Sequence, residues 1–150
     1  MPYNKYGLEI GIGTGRFAEE CAIDRGIYPS EKMALIAEER GIKTLIASAE
    51  NIPYPSNAFD FVVLITAVCF LDDITRALRE IKRVLNPAGE LIIGMINKES
   101  PLGKQYQVKK DQNPFYKEAR FYNIAEITNL LEDAGFGALE ILANTCNSLR

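Results

Sequence analysis

The chain has 150 residues, of which 47% are hydrophobic and 25% charged, and its formal net charge is −3. This length predicts one domain with its own core, and the charge balance gives no general attraction to nucleic acid or to an anionic membrane. The sequence has no histidine, which excludes Ser–His and Cys–His nucleophilic catalysis and most zinc sites.

Cysteine spacing and apolar runs indicate the compartment. Cys21, Cys69 and Cys146 are odd in number and widely spaced, which favours reduced thiols over a disulfide framework or a metal site. The longest apolar run, residues 59–71, is interrupted by Asp60 and is too short to span a bilayer. The first residues lack the pattern of a signal peptide. We therefore expect a cytoplasmic protein with no membrane span, no bound metal and no nucleic-acid partner.

Apolar runs alternate with helical patterns along the chain, which predicts an α/β fold with a mostly parallel sheet. The fourth run is nearly continuously apolar, as in a strand buried on both faces. A turn Asn86-Pro87-Ala88-Gly89 precedes the fifth run. Strands are expected at residues 7–10, 23–28, 43–47, 59–66, 91–96 and 138–143.

Helices are expected between these strands. One begins near Arg16, and a second is N-capped by Ser30 and ends at Gly41. The third has Asp72 or Asp73 as its cap, and its apolar residues recur at three- and four-residue steps. Its charged residues are expected to form exposed pairs. The apolar set is Ile74, Ala77, Leu78, Ile81 and Leu85, and the charged set is Arg79, Glu80 and Arg83.

A last helix is expected between Asn123 and Gly135. Asn123 and Glu126 have the spacing of a capping box. Ile124, Ile127, Leu130 and Leu131 are expected on its inner face.

Three glycines at alternate positions, Gly11, Gly13 and Gly15, follow the first strand. Glycine adopts positive φ and lets a ligand approach the main chain, and a strand-to-helix turn directs free N–H groups at that ligand. The spacing differs from the dinucleotide pattern G-x-G-x-x-G, because the third glycine comes one residue early and Arg16 takes its place. The alternative is a tight connection that binds nothing.

Residues 97–122 are polar and basic, with two prolines and no clear periodicity. This stretch is too long for a routine connection in a compact domain. We interpret it as a lid or acceptor loop within the single domain 1–150. Its tyrosines, Tyr106, Tyr116 and Tyr122, are candidates for contact with a substrate.

Five motifs occur in a fixed order: Glu9-x-Gly-x-Gly-x-Gly, residues 28–33, residues 49–53, Phe59-Asp60 and residues 83–89. Together they resemble a class I S-adenosylmethionine-dependent methyltransferase of the small-molecule type, similar to those of ubiquinone and menaquinone biosynthesis. The resemblance runs from Leu8 to about Phe136. It implies a Rossmann-like doubly wound fold and the cofactor S-adenosyl-L-methionine. It also implies the product S-adenosyl-L-homocysteine and methyl transfer to a small-molecule acceptor.

The resemblance also implies which residues bind the cofactor, although it identifies no catalytic base. An acidic residue favours the ammonium of the methionine end, and backbone N–H groups bind its carboxylate. Thr66 would lie beside the sulfonium, and Ser48 and Ala49 would border the adenine, with Ile52 nearby as apolar packing. Glu50 is a further residue expected to bind the cofactor. Tyr28 and Pro29 would lie near the adenosine. The methionine end would be held by Glu9, Gly11, Gly13, Thr14 and Gly15.

The chain departs from the family pattern in two ways. Tyr28 stands where the family usually has a carboxylate for the ribose hydroxyls, which would cost about 1.5–3 kcal/mol of binding free energy. Helical sequence before the first strand and a terminal antiparallel hairpin are also expected to be missing. An unpaired edge at the fifth strand would then favour a homodimer. Two rival functions are a degenerate, non-catalytic cofactor-binding module and an NAD(P)-dependent oxidoreductase.

Overall fold

The computed structural model describes residues 5–114 and 116–142. Their five strands form one sheet in which every neighbouring pair is parallel, with the order β3-β2-β1-β4-β5. The order reverses between β1 and β4, as in a doubly wound α/β fold, which confirms the predicted fold class. The strands are β1 (Gly7–Ile10), β2 (Arg25–Tyr28), β3 (Lys43–Ile46), β4 (Phe59–Ile65) and β5 (Leu85–Gly94).

Five α-helices accompany the sheet: α1 (Arg16–Glu20), α2 (Glu31–Glu39), α3 (Ile74–Val84), α4 (Pro101–Lys109) and α5 (Ile124–Asp133). The capping box of α5 is confirmed, because the side chains of Asn123 and Glu126 each accept the other's backbone N–H at 2.8 Å. Asp73 caps α3, whereas Ser30 occupies the cap position of α2 without a side-chain hydrogen bond. None of the helices in the described ranges is long and apolar enough to cross a membrane.

The core lies on both faces of the central strands. Val62, Val63 and Leu64 of β4 are fully buried, as the continuous apolar run predicts. One face packs against α3 and α5, and the other against α1 and α2. Both faces of the sheet are therefore covered, and ligands can reach it only at its ends.

β1 has the predicted bounds, β3 and β4 each end one residue earlier than predicted, and the other three predicted strands differ more. β2 begins at Arg25, later than expected. β5 starts at Leu85, earlier than predicted. Leu85 pairs with Phe59 of β4 and Glu90 pairs with Phe61, so residues 86–89 form a bulge between these two pairs. No strand forms over residues 138–142, which are exposed and pair with no described strand. Ala143 and Cys146 lie outside the described residues.

The segment 97–122 contains helix α4, which the sequence pattern did not predict. Pro101 occupies the first turn, and the Ser100 hydroxyl accepts the N–H of Gly103 at 3.0 Å. Apart from Gly103 and the half-buried Tyr106, every residue of α4 is exposed, so no apolar periodicity marks it. The prediction that Ile124 lies on the inner face of α5 was also wrong, because this residue is 37% exposed.

Candidate functional site

A cavity of about 670 Å³ lies at the carboxyl ends of the strands, where the strand order reverses. Ligands of open α/β sheets bind at this position. The cavity brings together all but one of the residues predicted to bind a cofactor; Gly15 is not part of its lining. The predicted residues that line it are Glu9, Gly11, Gly13, Thr14, Tyr28, Pro29, Ser48, Ala49, Glu50 and Thr66.

The three glycines of the first turn have positive φ angles of 72°, 56° and 79°, but their surroundings differ. A Cβ on Gly11 would lie 2.6 Å from the Cβ of Ala67, so the turns after β1 and β4 interlock there. A Cβ on Gly15 would lie 2.7 Å from Ile42 Cδ1 and 3.3 Å from Ala37 Cα. Gly13 has no atom within 4 Å of that position and borders the cavity.

Backbone amides of this turn fall into two groups. Gly11 and Ile12 both donate to the carbonyl of Ile27, and Gly15 donates to Ile12. The amides of Gly13 and Thr14 donate to no described residue. Because these two residues line the cavity, their N–H groups are available to an anionic group bound there.

Glu9 is the buried ionisable group of the cavity. It is 3% exposed, and its Oε2 atom has no hydrogen-bond partner among the described residues. Burial raises the pKa of Glu9 to about 7, opposed in part by the backbone of Ala18. A buried carboxylate oxygen without a partner is expensive, and a cationic ligand group that reaches Oε2 would satisfy it.

Glu9→Gln is expected to stabilise the ligand-free chain by about 1–2 kcal/mol at about pH 8. The raised pKa means that the ionised carboxylate destabilises the fold. This cost is absent below the unfolded pKa of 4.5, grows as the pH rises, and is complete above about 7. Urea unfolding across this pH range would measure it, with exposed Glu90→Gln as the control. An unchanged pH dependence in Glu9→Gln would contradict the assignment.

The wall of the cavity beyond β2 and β3 combines Tyr28 and Pro29 with the segment after β3. Ala49 is buried, and Glu50 has a structural partner. Its Oε1 atom accepts the N–H groups of Asp72 and Asp73 at 3.0 and 3.1 Å, at the start of α3. This carboxylate therefore fixes the wall to α3 as well as bordering the cavity.

Thr66 directly follows β4 and has a φ of 52°, an uncommon conformation for a β-branched residue. Its N–H donates to Gly94 at 2.8 Å and its hydroxyl donates to Ile65 at 2.7 Å, which holds it there. Cys69 follows in a 3₁₀ turn, and burial raises its thiol pKa to about 11. Cys69 is thus a neutral thiol rather than a reactive thiolate.

Residues 116–122 contribute part of the cavity lining. The N–H of Arg120 donates to the carbonyl of Cys69 at 2.7 Å, and the rings of Tyr116 and Phe70 are 5.9 Å apart. Tyr116 and Tyr122 line the cavity, as expected of acceptor contacts, but Tyr106 does not. Tyr106 packs behind Tyr116, with ring centroids 4.9 Å apart.

Several cavity residues were not identified from the sequence. Met33, Phe70, Met95 and Arg120 all line the cavity. Met33 ends the second motif but was given no ligand role, and Phe70, Met95 and Arg120 belong to no motif. Apolar side chains such as those of Met33, Phe70 and Met95 are usually core residues, so no sequence signal distinguished them as cavity residues. Phe70 and Arg120 lie at the site because the 3₁₀ turn contacts residues 116–122 in the folded chain.

A family model described as a methyltransferase domain matches residues 8–93. Uncharacterized protein MJ1123 of Methanocaldococcus jannaschii is 45% identical over 130 residues, which cover 87% of this chain and 63% of that protein. The ubiquinone/menaquinone biosynthesis C-methyltransferase UbiE of Rickettsia akari is 32% identical over 107 residues, covering 59% of this chain and 43% of that enzyme.

A solved structure is also similar. The crystal structure of a SAM-dependent methyltransferase from Thermotoga maritima, described as a possible histamine N-methyltransferase, superimposes with a TM-score of 0.89 and 45% identity. The alignment covers 92% of this chain and 66% of the Thermotoga chain. The chain thus spans less than two thirds of these relatives.

Proposed function

The chain belongs to the class I S-adenosylmethionine-dependent methyltransferases, and on that premise we propose that its cavity binds S-adenosyl-L-methionine and transfers the methyl group to a small-molecule acceptor. The observation that best supports this proposal is that an anionic group and free N–H donors both border the cavity. The unpartnered Oε2 atom of Glu9 suits an ammonium, and the free amides of Gly13 and Thr14 suit a carboxylate. A methionine end carries both groups.

The rest of the cavity fits the other parts of this cofactor. Tyr28 and the Ser48–Glu50 wall would hold the adenosine, and Thr66 would lie beside the sulfonium. Tyr28 offers a single phenol hydrogen bond where a carboxylate could bind both ribose hydroxyls, so we expect modest affinity. The acceptor would enter between Thr66 and residues 116–122, against the rings of Tyr116 and Tyr122.

The bound cofactor supplies an electrophilic methyl carbon on a sulfonium, whose leaving group is a neutral thioether. In this proposal that methyl group would pass to the acceptor, with the electron pair of the C–S bond staying on sulfur and the proton of a protonated acceptor going to solvent. The leaving group needs no acid. The residues of the chain therefore act by aligning the two reactants and by excluding water.

Calorimetric titration with S-adenosylmethionine and S-adenosylhomocysteine, near pH 7 in two buffers of different ionisation enthalpy, tests the proposal. Both ligands should bind. A bound ammonium lowers the raised pKa of Glu9, so binding should release a fraction of a proton. Glu9→Gln should abolish this release and weaken binding about tenfold, whereas Glu90→Gln should change neither. No binding by the wild-type chain would contradict the proposal.

A non-catalytic binding module is the second candidate, and the weak ribose contact expected of Tyr28 favours it. The two candidates differ in turnover. Incubation with S-adenosylmethionine and a panel of amines, phenols and thiols, followed by measurement of S-adenosylhomocysteine, separates them. Product formation above the protein-free rate supports the enzyme. Binding without turnover across the panel supports the module.

A further inference from the structure

The segment of residues 48–54 has little regular structure of its own. It follows β3 and provides the cavity residues Ser48, Ala49 and Glu50. Its internal hydrogen bonds run from Asn51 N–H to Ser48 at 3.2 Å and from Tyr54 N–H to Ile52 at 2.8 Å. We call residues 48–54 the wall segment. Its conformation must therefore depend on contacts made elsewhere.

An ion pair on α3 makes several of those contacts, beside the burial of Ala49 and Ile52 and the edge-to-face contact between Tyr54 and Phe59. Glu80 and Arg83 form a two-armed pair, with Nε to Oε1 at 2.7 Å and Nη2 to Oε2 at 2.9 Å. Both side chains also form hydrogen bonds with the wall segment. Arg83 donates to the carbonyls of Ile52 and Tyr54 at 2.9 Å each, and Glu80 accepts the N–H of Ile52 at 2.9 Å.

This pair differs from the exposed charges expected from the helical spacing. The side chains of Arg83 and Glu80 are 35% and 20% exposed. Their contact lowers the pKa of Glu80 and raises the pKa of Arg83, so both stay ionised near neutral pH. Charged, two-armed hydrogen bonds of this kind are strong and fix geometry.

Helix α3 holds the wall segment at two points. Near its start, the amides of Asp72 and Asp73 bind Glu50, and near its end Arg83 and Glu80 bind residues 52 and 54. Neither Arg83 nor Glu80 lines the cavity. Any effect of these two residues on a ligand must therefore be transmitted through the wall segment.

We propose that Arg83 and Glu80 are positioning residues for the adenosine half of the cofactor, acting by fixing the wall segment against which the adenine packs. This inference rests on the proposed function, because it takes S-adenosylmethionine as the ligand. In this proposal, the affinity for the adenosine half depends in part on two side chains that do not line the cavity.

The test is the affinity of Arg83→Met for two ligands, S-adenosylhomocysteine and 5′-methylthioadenosine, measured by calorimetry. Both contain the adenosine, but only the first has the amino-acid end. We expect Arg83→Met to bind both about tenfold more weakly and by the same factor, because the loss lies in the shared half. A general loosening of the site would weaken S-adenosylhomocysteine by the larger factor, since it also engages Glu9 and the glycine turn.

Arg79→Met is the matched control, since Arg79 is exposed on the same helix, and it should bind both ligands as the wild type does. If Arg83→Met does not fold, Glu80→Gln replaces it. The glutamine keeps an oxygen for Ile52 N–H but loses the ion pair, so a loss of about threefold for both ligands is expected.

Two results would overturn the inference while leaving the proposed function intact. The first is a folded Arg83→Met protein that binds both ligands with an affinity within about twofold of the wild-type value. The second is a loss for S-adenosylhomocysteine without a matching loss for 5′-methylthioadenosine. Failure of the wild-type chain to bind either ligand would instead overturn the proposed function, and the inference with it.

Discussion

Gly13→Val is expected to weaken S-adenosylmethionine binding at least about a hundredfold while the fold survives. A Cβ at this position has no protein atom within 4 Å, and we expect the valine to enter the cavity beside the free amides of Gly13 and Thr14. It would occupy the space needed by the ligand carboxylate. The positive φ of 56° adds backbone strain of about 1–2 kcal/mol, which lowers the free energy of unfolding without abolishing folding.

Gly41→Val provides the control for that strain. Gly41 has a φ of 81° and also no atom within 4 Å of its Cβ position, but it lies after α2 and outside the cavity lining. Its valine variant should lose similar stability and bind the cofactor normally. Calorimetry and urea unfolding on both variants separate the two effects. Unchanged binding by Gly13→Val would refute the placement of the methionine end.

Gly15→Val is expected to lose about 3 kcal/mol or more of unfolding free energy, and with it most of the folded protein. Here the new side chain meets Ile42 Cδ1 at 2.7 Å and Ala37 Cα at 3.3 Å, in addition to a φ of 79°. The flexible isoleucine can move, but the backbone of α2 cannot without opening the core between α1 and α2.

Urea unfolding followed by circular dichroism measures this loss, with Gly15→Ala as an intermediate and Gly13→Val as the comparison. The order of stability should be wild type, Gly13→Val, Gly15→Ala and Gly15→Val. A Gly15→Val protein as stable as Gly13→Val would show that Gly15 does not act as a packing residue. The same substitution, two residues apart, thus tests a ligand contact in one case and a core contact in the other.

The elements that the sequence predicted well are those with strong local signals. β1, followed by the glycine turn, and the capping box of α5 matched the prediction, and β4, a buried apolar run, differed from it by one residue. Each of these signals has a local physical cause. The cavity residues contributed by the glycine turn and by the ends of β2, β3 and β4 were predicted from the resemblance to a methyltransferase family, whose motifs lie at these positions. Each follows a recognisable strand.

The elements that were mispredicted depend on contacts between distant residues. Helix α4 is polar, so only its cap and its docking against residues 97 and 98 define it. The pair of Glu80 and Arg83 has the spacing of a surface ion pair, and only the fold brings the wall segment to it. Similarly, Arg120 reaches the cavity because its N–H binds Cys69, more than fifty residues earlier in the chain.

The burial of Glu9 has a consequence for the lifetime of the protein in a cell. The carboxylate costs the empty chain stability at neutral pH, and a bound ligand returns it. A ligand at a hundred times its dissociation constant stabilises a protein by about 2.7 kcal/mol, which is more than the cost of about 1–2 kcal/mol at Glu9. On the proposed function, a fall in the supply of S-adenosylmethionine would enlarge the unfolded fraction open to proteases. The abundance of the protein would then follow the supply of its own methyl donor.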